Sequence, residues 1–164
     1  MSLQLRSPQP LAATHLLDEF SCGEASLDDW LVRRALANQL SGASRTFAVT
    51  DPDGRVSGYY AMAAGAVSHQ AATSSVRRNM PDPIPVMVLA RLAVDYRAQG
   101  IKLGASLLKD AVGRAMSVAQ HAGVRALLVH ALHDSAKQFY EHFGFKESPQ
   151  HPMTLMMRLS AVGT

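Results

Sequence analysis

The sequence is poor in features that mark several large classes of protein. Its 164 residues include one cysteine, Cys22, so no disulfide can form within the chain, and this usage is typical of a reducing compartment. No apolar run is long enough to span a bilayer, and the N-terminus shows no basic segment followed by an apolar one. We therefore exclude a disulfide-stapled or membrane-spanning chain and expect a cytoplasmic protein with no membrane partner.

Repeats, low-complexity tracts and interdomain linkers are also missing from the sequence. Apolar residues make up 48% of the chain and charged residues only 18%, a balance typical of a compact globular protein. The length predicts a single domain over residues 1–164. The net charge of +3 comes mainly from arginine, which suits phosphate contacts, but a charge this small does not separate a nucleic-acid partner from ordinary surface charge.

Apolar periodicity and turn residues predict alternating helices and strands. A first helix is expected from Leu27 to Leu40, begun by a capping box of Ser26 and Asp29, with core-facing positions at Leu27, Trp30, Leu31 and Ala35. The later elements are a hairpin of Thr46–Thr50 and Val56–Val67, a loop over His69–Pro85 with a short helical turn, a strand over Val86–Asp95, a helix over Ala105–His121, a strand over Val124–Leu132, a short helix begun by Asp134 or Ser135 and ended by Gly144, and a strand over Met153–Leu159.

This order of elements predicts the fold class. A strand, a helix and a second buried strand in succession imply a right-handed crossover between parallel neighbours, and the other connections are antiparallel. We expect a mixed α/β sheet with helices on both faces. Glycine and alanine inside Val56–Val67 predict either a close backbone approach or a bulge in that strand.

The most informative stretch joins the strand Val86–Asp95 to the helix that follows it. A short, basic, glycine-bearing turn, Tyr96–Gly104, connects them. A strand, turn and helix of this kind direct free backbone N–H groups at one point, at the positive end of a helix dipole. The sequence therefore predicts a phosphate or pyrophosphate site at this turn.

Two sequence motifs together resemble a known enzyme family. The first is Arg-Ala-Gln-Gly-Ile-Lys-Leu-Gly, residues 97–104, and the second is Ser-Ala-Lys-Gln-Phe-Tyr-Glu-His-Phe-Gly-Phe, residues 135–145. They resemble the pyrophosphate loop and the late Phe-Tyr helix of the GNAT superfamily of acetyl-coenzyme A (acetyl-CoA) dependent N-acetyltransferases. Phe20–Leu31, Pro85–Asp95, Val129–Leu132 and Lys137–Phe145 are similar to GNAT toxins of bacterial toxin–antitoxin modules.

The resemblance carries expectations about fold, function and partners. It implies the GNAT fold, with a mostly antiparallel sheet and a central, splayed parallel strand pair. It implies transfer of acetyl from acetyl-CoA to the α-amine of an aminoacyl-tRNA, which blocks translation. It also implies a homodimer, and a ribbon-helix-helix antitoxin that neutralises the toxin and represses the operon with it, so that operator DNA is reached only through the antitoxin.

The resemblance also assigns residues. Tyr140 is the expected proton donor to the departing thiolate. The acetyl-CoA site is expected to comprise Leu92, Ala93, Val94, Arg97, Gln99, Gly100, Ile101, Lys102, Leu103, Gly104, Ala105, Ser135, Phe139 and Tyr140. Lys102 replaces a glycine of the family pattern, and its side chain either crowds the pyrophosphate or contacts it as an added cation. Ser135 is expected to cap its helix as well as contact the pantetheine arm.

Five arginines are candidates for binding the acceptor or its RNA: Arg33, Arg34, Arg77, Arg78 and Arg91. Ordinary solvated charge is the alternative for the first four, and a bond to Asp95 or another carboxylate is the alternative for Arg91. No metal site is expected, since no partner of His130 or His133 lies at ligand spacing.

The choice of acceptor stays open between three readings. No Glu or Asp lies within Val86–Val94 to act as a general base, which favours an α-amine over a lysine side chain because the α-amine has the lower pKa. The alternatives are a GNAT enzyme acting on a protein or small-molecule amine, and a weakly active module that binds coenzyme A.

Overall fold

The computed structural model describes residues 4–160. Its strands are β1 Gln9–Pro10, β2 Arg45–Thr50, β3 Val56–Val67, β4 Ile84–Val94, β5 Ala126–His130, β6 Lys146–Glu147 and β7 Thr154–Arg158. Its α-helices are α1 Ala25–Trp30, α2 Leu36–Ser41, α3 Ser74–Arg77, α4 Leu103–Ala119 and α5 Asp134–His142. Within these described residues, no helix combines the length and the apolar character needed to cross a membrane.

The strands form a mixed sheet in the order β1-β2-β3-β4-β5-β7-β6. β4 and β5 are parallel, paired through Met87–Leu89 and Leu127–Val129. The pairs β1–β2, β2–β3, β5–β7 and β6–β7 are antiparallel. The predicted mixed α/β fold with one central parallel pair is confirmed.

The chain divides into two compact units. The first runs through Ala63 and resumes at Ala90–Ala111. Its core packs the helical segment after Glu24 against β3 and the end of β4, and the predicted inward positions of that segment are confirmed, with Leu31 and Ala35 fully buried. The core residues are Leu11, Phe20, Leu31, Ala35, Ala48, Val56, Tyr59 and Ala93.

The second unit comprises Ala64–Leu89 and the chain from Val112 onward. Its core joins the loop that carries α3 to β5 and β7. Arg125 holds this loop by donating to three backbone carbonyls, those of Val76 at 3.0 Å, Ser75 at 3.2 Å and Arg78 at 3.1 Å. The core residues are Val67, Ala71, Ala72, Val76, Ile84, Val86, Ala126, Leu128 and Met156.

Gly58 and Gly65 of β3 lie where side chains of neighbouring elements come close, and the β2–β3 register shifts between Val49 and Thr50, opposite Gly58 and Val56. A Cβ at Gly58 would lie 2.9 Å from Leu107 Cδ1 and 3.1 Å from Leu103 Cδ2. A Cβ at Gly65 would lie 2.7 Å from Val88 Cγ2. Because Gly58 has no side chain, the start of α4 packs directly on β3 within the first unit. This contact sets the distance between α4 and the sheet.

The N-cap residues predicted for two of the helices were wrong. The first helical segment begins at Ala25, and its N-cap, Glu24, makes no side-chain capping bond, so the box of Ser26 and Asp29 does not form. Asp28 instead accepts from the backbone N–H of Cys22 at 2.9 Å. A π-helical segment, Leu31–Ala35, follows α1 directly and was not predicted, because its residues are ordinary helix formers.

The second cap was also misassigned. His133 caps α5, its Nδ1 accepting from the backbone N–H of Ala136 at 3.2 Å, so neither Asp134 nor Ser135 is the cap. Gly144 ends the helical region as predicted, with a φ of +95°. The bounds of β3 match the prediction, and α3 is the predicted helical turn within the loop.

Candidate active site

Asp95 closes the turn after β4. Its side chain is 1% exposed and accepts from the backbone N–H groups of Arg97 at 2.9 Å and Ser21 at 3.0 Å. The backbone of Asp95 donates to the carbonyl of Ser57 at 2.8 Å, and that of Tyr96 donates to the carbonyl of Ser21 at 2.8 Å. The turn is therefore fixed on β3 and on the segment before α1.

Arg97 completes the bracing of this turn. Its Nε lies 3.0 Å from Asp95 Oδ1, and its Nη1 lies 3.8 Å from Glu19 Oε2. Desolvation raises the pKa of Asp95, but the hydrogen bonds from Arg97 and Ser21 outweigh it, so the pKa lies below its ordinary value. Arg91 makes no bond to Asp95, and that predicted alternative is wrong.

Gln99 also supports the turn through its side chain. Its Nε2 donates to the carbonyls of Val94 at 3.0 Å and Cys22 at 3.3 Å. These bonds hold the exit of β4 in place. Gln99, predicted as one end of the pyrophosphate loop, is thus tied to the backbone through its amide nitrogen.

Six successive backbone N–H groups, those of residues 100–105, stand at the start of α4. Within residues 4–160, none of them donates to an acceptor, and the first helical bond of α4 runs from Ser106 N–H to the Lys102 carbonyl at 3.2 Å. Gly100 and Lys102 have positive φ values of +86° and +63°, which turn the backbone through this segment. Unpaired N–H groups at the N-terminus of a 17-residue helix form an electropositive site for an anion.

The remaining loop residues surround these N–H groups. Leu103 is buried and anchors the first turn of α4. Lys102 and Ile101 are exposed, and Gly104 and Ala105 are half-buried. The structure thus brings together the residues predicted for the pyrophosphate, and it places the charged group of Lys102 on the exposed side of the turn.

β4 continues beyond the residues that pair with β5, and Leu89 is the last of these paired residues. Ala93 is buried, whereas Leu92 and Val94 are half-buried. Arg91 is half-buried too, and its guanidinium carbon lies 4.6 Å from the centroid of the Trp30 ring. Trp30 was predicted only as a core residue, and nothing in the sequence pattern indicated this contact.

Tyr140 belongs to the second unit. It is 8% exposed and packs edge-on against Phe139 and Phe145, with ring centroids 5.3 and 5.6 Å away. Burial raises the pKa of Tyr140 to about 12. The phenol is therefore neutral at pH 7. Among residues 4–160 its hydroxyl has no hydrogen-bond partner, so its proton is available to an incoming group.

Other predicted residues lie on the surface. Ser135 is exposed in the first turn of α5. Arg33 and Arg34 are exposed on the π-helical segment, and Arg77 and Arg78 are exposed at the end of α3. Sequence reasoning missed Arg125, which fixes the backbone beneath Arg77 and Arg78.

Two negative expectations concern nucleophiles and metals. Burial is the main cause that raises the pKa of Cys22 to about 11, so its thiol is protonated at neutral pH and is a poor nucleophile. In the part of the chain that the structure describes, no group of three His, Cys, Asp or Glu side chains is placed to hold a metal ion.

Comparisons with known proteins agree with these features. The profile of the acetyltransferase (GNAT) domain matches residues 17–154. A curated protein of Mycobacterium tuberculosis, described as a tRNA-acetylating toxin, is 54% identical over 151 residues, covering 92% of this chain and 90% of the relative.

Two solved structures share the fold along nearly the whole chain. AtaT complexed with acetyl-methionyl-tRNAfMet has a TM-score of 0.87 at 26% identity, covering 94% of this chain and 95% of AtaT. A tyrosine-to-phenylalanine mutant of AtaT, bound to the C-terminus of the antitoxin AtaR and acetyl-CoA, has a TM-score of 0.81 at 25% identity, covering 94% and 93%. The resemblance seen in the sequence is confirmed at the level of the family.

Proposed function

The chain belongs to the GNAT acetyltransferase family, and from that premise we propose that it moves an acetyl group from acetyl-CoA to the α-amine of an aminoacyl-tRNA, as the toxin of a toxin–antitoxin pair. The main structural support for acetyl-CoA binding is the run of six unpaired N–H groups at residues 100–105. The 54% identity to a tRNA-acetylating toxin supports the choice of acceptor.

The turn after β4 binds the diphosphate of acetyl-CoA. The N–H groups of residues 100–105 donate to phosphate oxygens, and the helix dipole of α4 adds to their attraction. Lys102 supplies a cation from the exposed side, while Arg97 and Gln99 act mainly by holding the turn in shape. Because Asp95 and Glu19 neutralise Arg97, the backbone N–H groups provide most of the binding of the diphosphate.

The thioester end requires backbone partners for the pantetheine arm, an oxyanion site and a proton donor. The backbone of Leu92, Ala93 and Val94 pairs with the amides of the pantetheine arm and stabilises the oxyanion that develops at the acetyl carbonyl. Ser135 and Phe139 of α5 contact the same arm. Tyr140 donates its proton to the departing thiolate, and its raised pKa keeps the donor fully protonated at neutral pH.

An aminoacyl α-amine needs little help from a general base. An α-amino group has a pKa of about 8, against about 10.4 for lysine, so about a tenth of it is neutral at pH 7, compared with less than about a thousandth of lysine. This agrees with the lack of Glu and Asp in Val86–Val94. Arg33, Arg34, Arg77 and Arg78 contact tRNA phosphates as exposed cations, and Arg91 contributes at the acceptor end.

The regulatory partners are inferred from the same family membership. The protein forms a homodimer in the cytoplasm as a single acetyltransferase domain, is neutralised by a ribbon-helix-helix antitoxin, and reaches operator DNA only through that antitoxin. The AtaT structure with the C-terminus of its antitoxin AtaR supports such a partner. Light scattering of the purified chain tests the dimer, and co-purification with the product of an adjacent small reading frame tests the antitoxin.

The acetylation assay tests the enzymatic proposal. Purified protein is incubated with radiolabelled acetyl-CoA and a full set of charged tRNAs, and the label is expected on the α-nitrogen of one or a few amino acids. No labelled aminoacyl product with any charged tRNA rejects the toxin function. Label on proteins or small amines instead would assign the enzyme to another branch of the family.

Tyr140→Phe tests the proton donor. We expect the transfer rate to fall by about a hundredfold or more, as for loss of a general acid, with acetyl-CoA affinity by calorimetry unchanged. Because the pKa of Tyr140 is about 12, its ionisation is expected to cause no loss of rate between pH 7 and pH 10. Tyr96→Phe, which removes an exposed phenol, is the matched control. Equal rates for the wild type and Tyr140→Phe remove Tyr140 from the mechanism.

A further inference from the structure

Arg91 has an unusual environment for an arginine within a strand. Its Nε is buried and has no hydrogen-bond partner, and within residues 4–160 its guanidinium makes one long hydrogen bond, from Nη1 to the Ala90 carbonyl at 3.5 Å. Among residues 4–160, no carboxylate lies within ion-pair distance of its guanidinium. The charge is therefore held in a partly desolvated position without an anion to neutralise it, which is unfavourable unless a ligand supplies one.

Trp30 holds this guanidinium in a defined orientation. The guanidinium carbon lies 4.6 Å from the Trp30 ring centroid, within the range of a cation–π contact. The Trp30 ring in turn stacks on Tyr59, with centroids 6.0 Å apart and planes 13° from parallel. Tyr59 is itself fixed by a hydrogen bond from its hydroxyl to the Leu27 carbonyl at 2.7 Å. The stack leaves Arg91 few alternative rotamers.

The local helix geometry points to the same place. Trp30 is the last residue of α1, and the π-helical segment Leu31–Ala35 begins directly after it. π-helical turns inside α-helices are frequently found at functional sites. Arg91 lies two residues past the last β4–β5 pair and directly before Leu92, the first residue that we assign to the thioester.

We propose that Arg91, oriented by Trp30, binds a phosphate oxygen of the 3′-terminal nucleotides of the acceptor and so contributes to the affinity for aminoacyl-tRNA. This inference rests on the proposed function, because it requires an aminoacyl-tRNA as acceptor. A planar guanidinium without a carboxylate partner matches a phosphodiester in charge and in its fork of donors. Trp30 is a positioning residue in this arrangement, since it acts through Arg91.

The first test compares Arg91→Gln with Arg55→Gln, which removes the same charge from an exposed arginine paired with Glu19. We expect Arg91→Gln to raise the KM for aminoacyl-tRNA by about tenfold to a hundredfold, as for loss of a charge-assisted hydrogen bond. Its kcat and its affinity for acetyl-CoA are expected to stay within about twofold of the wild type, because a charge-assisted contact to the acceptor acts on acceptor binding alone. Arg55→Gln is expected to leave all three unchanged.

The second test identifies the group that Arg91 contacts. Aminoacyl-tRNAs are prepared with a neutral methylphosphonate at each of the terminal phosphodiesters in turn. One of these substitutions is expected to raise the KM of the wild type as much as Arg91→Gln does, and to have no further effect on that variant. Additive losses at every position would overturn the proposal and assign Arg91 to the ester carbonyl or to a structural role.

Two further variants separate binding from folding. Arg91→Lys keeps the charge and loses the fork, and an intermediate KM is expected. Trp30→Phe keeps a smaller aromatic face and is expected to raise the KM for aminoacyl-tRNA less than Arg91→Gln, with no additional effect in the double variant. A wild type that acetylates no charged tRNA removes the proposed function itself, whereas an active wild type with an unchanged KM in Arg91→Gln removes only this contact.

Discussion

Lys102 adopts a backbone conformation that usually belongs to glycine. Its φ of +63° lies in the left-handed region, where a Cβ costs about 1–2 kcal/mol. The position is also the one at which the sequence departs from the glycine of the family pattern. The chain therefore accepts backbone strain in the middle of the anion-binding turn and gains an exposed ammonium group beside the unpaired N–H groups.

Lys102→Gly is expected to stabilise the fold and weaken acetyl-CoA binding. Relief of strain exceeds the added entropy of the unfolded chain, so the free energy of unfolding in urea should rise by about 0.5–1 kcal/mol. Lys102→Ala keeps the strain and should show no such gain. Both variants lose the cation, and calorimetry at low salt should show severalfold weaker binding of acetyl-CoA. Unchanged affinity in both would leave Lys102 without an electrostatic role.

Single-residue partners were predicted least well, and Arg91 shows why. A bond to Asp95 was plausible from the sequence, since both residues lie near the end of β4. In the structure, however, Asp95 lies in the turn after β4, and its carboxylate already accepts from the backbone N–H groups of Ser21 and Arg97. Asp95 instead bonds Arg97, two residues away within a tight turn. Charge type is readable in the sequence, but the partner depends on the local path of the backbone.

At the scale of elements, the join between β4 and α4 depends on Asp95 as a buried acceptor. Asp95→Asn removes the charge that accepts from Ser21 and Arg97, and we expect the free energy of unfolding at pH 7 to fall by about 1–3 kcal/mol. Acetyl-CoA affinity should fall with it, because the turn presents the N–H groups. Asp53→Asn, in the exposed hairpin turn, is the matched control.

The pH dependence of this contribution has a definite sign. The pKa of Asp95 is lowered in the folded state, so its stabilisation is complete above the unfolded pKa of about 3.9 and is lost as pH falls through the folded value. Unfolding in urea from pH 7 to pH 2.5 should show wild type and Asp95→Asn converging only below about pH 4. A gap that stays constant to the lowest pH would contradict this assignment.

The contact between β3 and α4 gives a second prediction at this scale. Gly58→Ala places a methyl group 2.9 Å from Leu107 Cδ1 and 3.1 Å from Leu103 Cδ2, so these side chains or the start of α4 must move, and the fold should lose about 1–3 kcal/mol. Acetyl-CoA affinity should also fall, since Leu103 opens the helix. Gly113→Ala, with no atom within 4 Å of the new Cβ, should instead stabilise the helix by about 0.5–1 kcal/mol. A Gly58→Ala variant with the free energy of unfolding of the wild type would contradict this prediction.

Elements with a strong apolar pattern and a turn signal were predicted well, and β3 and the mixed sheet are examples. The sequence did not predict β1 and β6, because two-residue strands are too short to show a period. The caps failed for another reason. Glu24 occupies the N-cap of α1 without a side-chain bond, and His133 caps α5 through its ring nitrogen; neither residue type is a typical cap.

Across the whole molecule, residues predicted from the sequence for the active site occur in each of the two compact units. The anion-binding turn and Arg91 belong to the first, and Tyr140, Ser135, Arg77 and Arg78 belong to the second. The two motifs identified the turn, Ser135 and Tyr140 because each motif keeps a local pattern of residues, whereas the arginines were selected by their charge. The role of Trp30 and the bracing by Arg125 have no such pattern, since they depend on contacts between segments distant in sequence.

Binding of a tRNA by a chain with a net charge of only +3 requires local concentration of arginine, and this gives a prediction for salt dependence. The KM for aminoacyl-tRNA should rise steeply with KCl, because each phosphate contact releases counterions. The double variant Arg77→Gln, Arg78→Gln should reduce the slope of log KM against log salt by about 1–2, with kcat unchanged. Arg45→Gln removes an exposed charge that bonds the Gln39 carbonyl and should leave the slope unaltered. If all three proteins share one slope, the arginines of α3 do not contact the acceptor, and Arg33 and Arg34 on the π-helical segment become the residues to test by the same measurement.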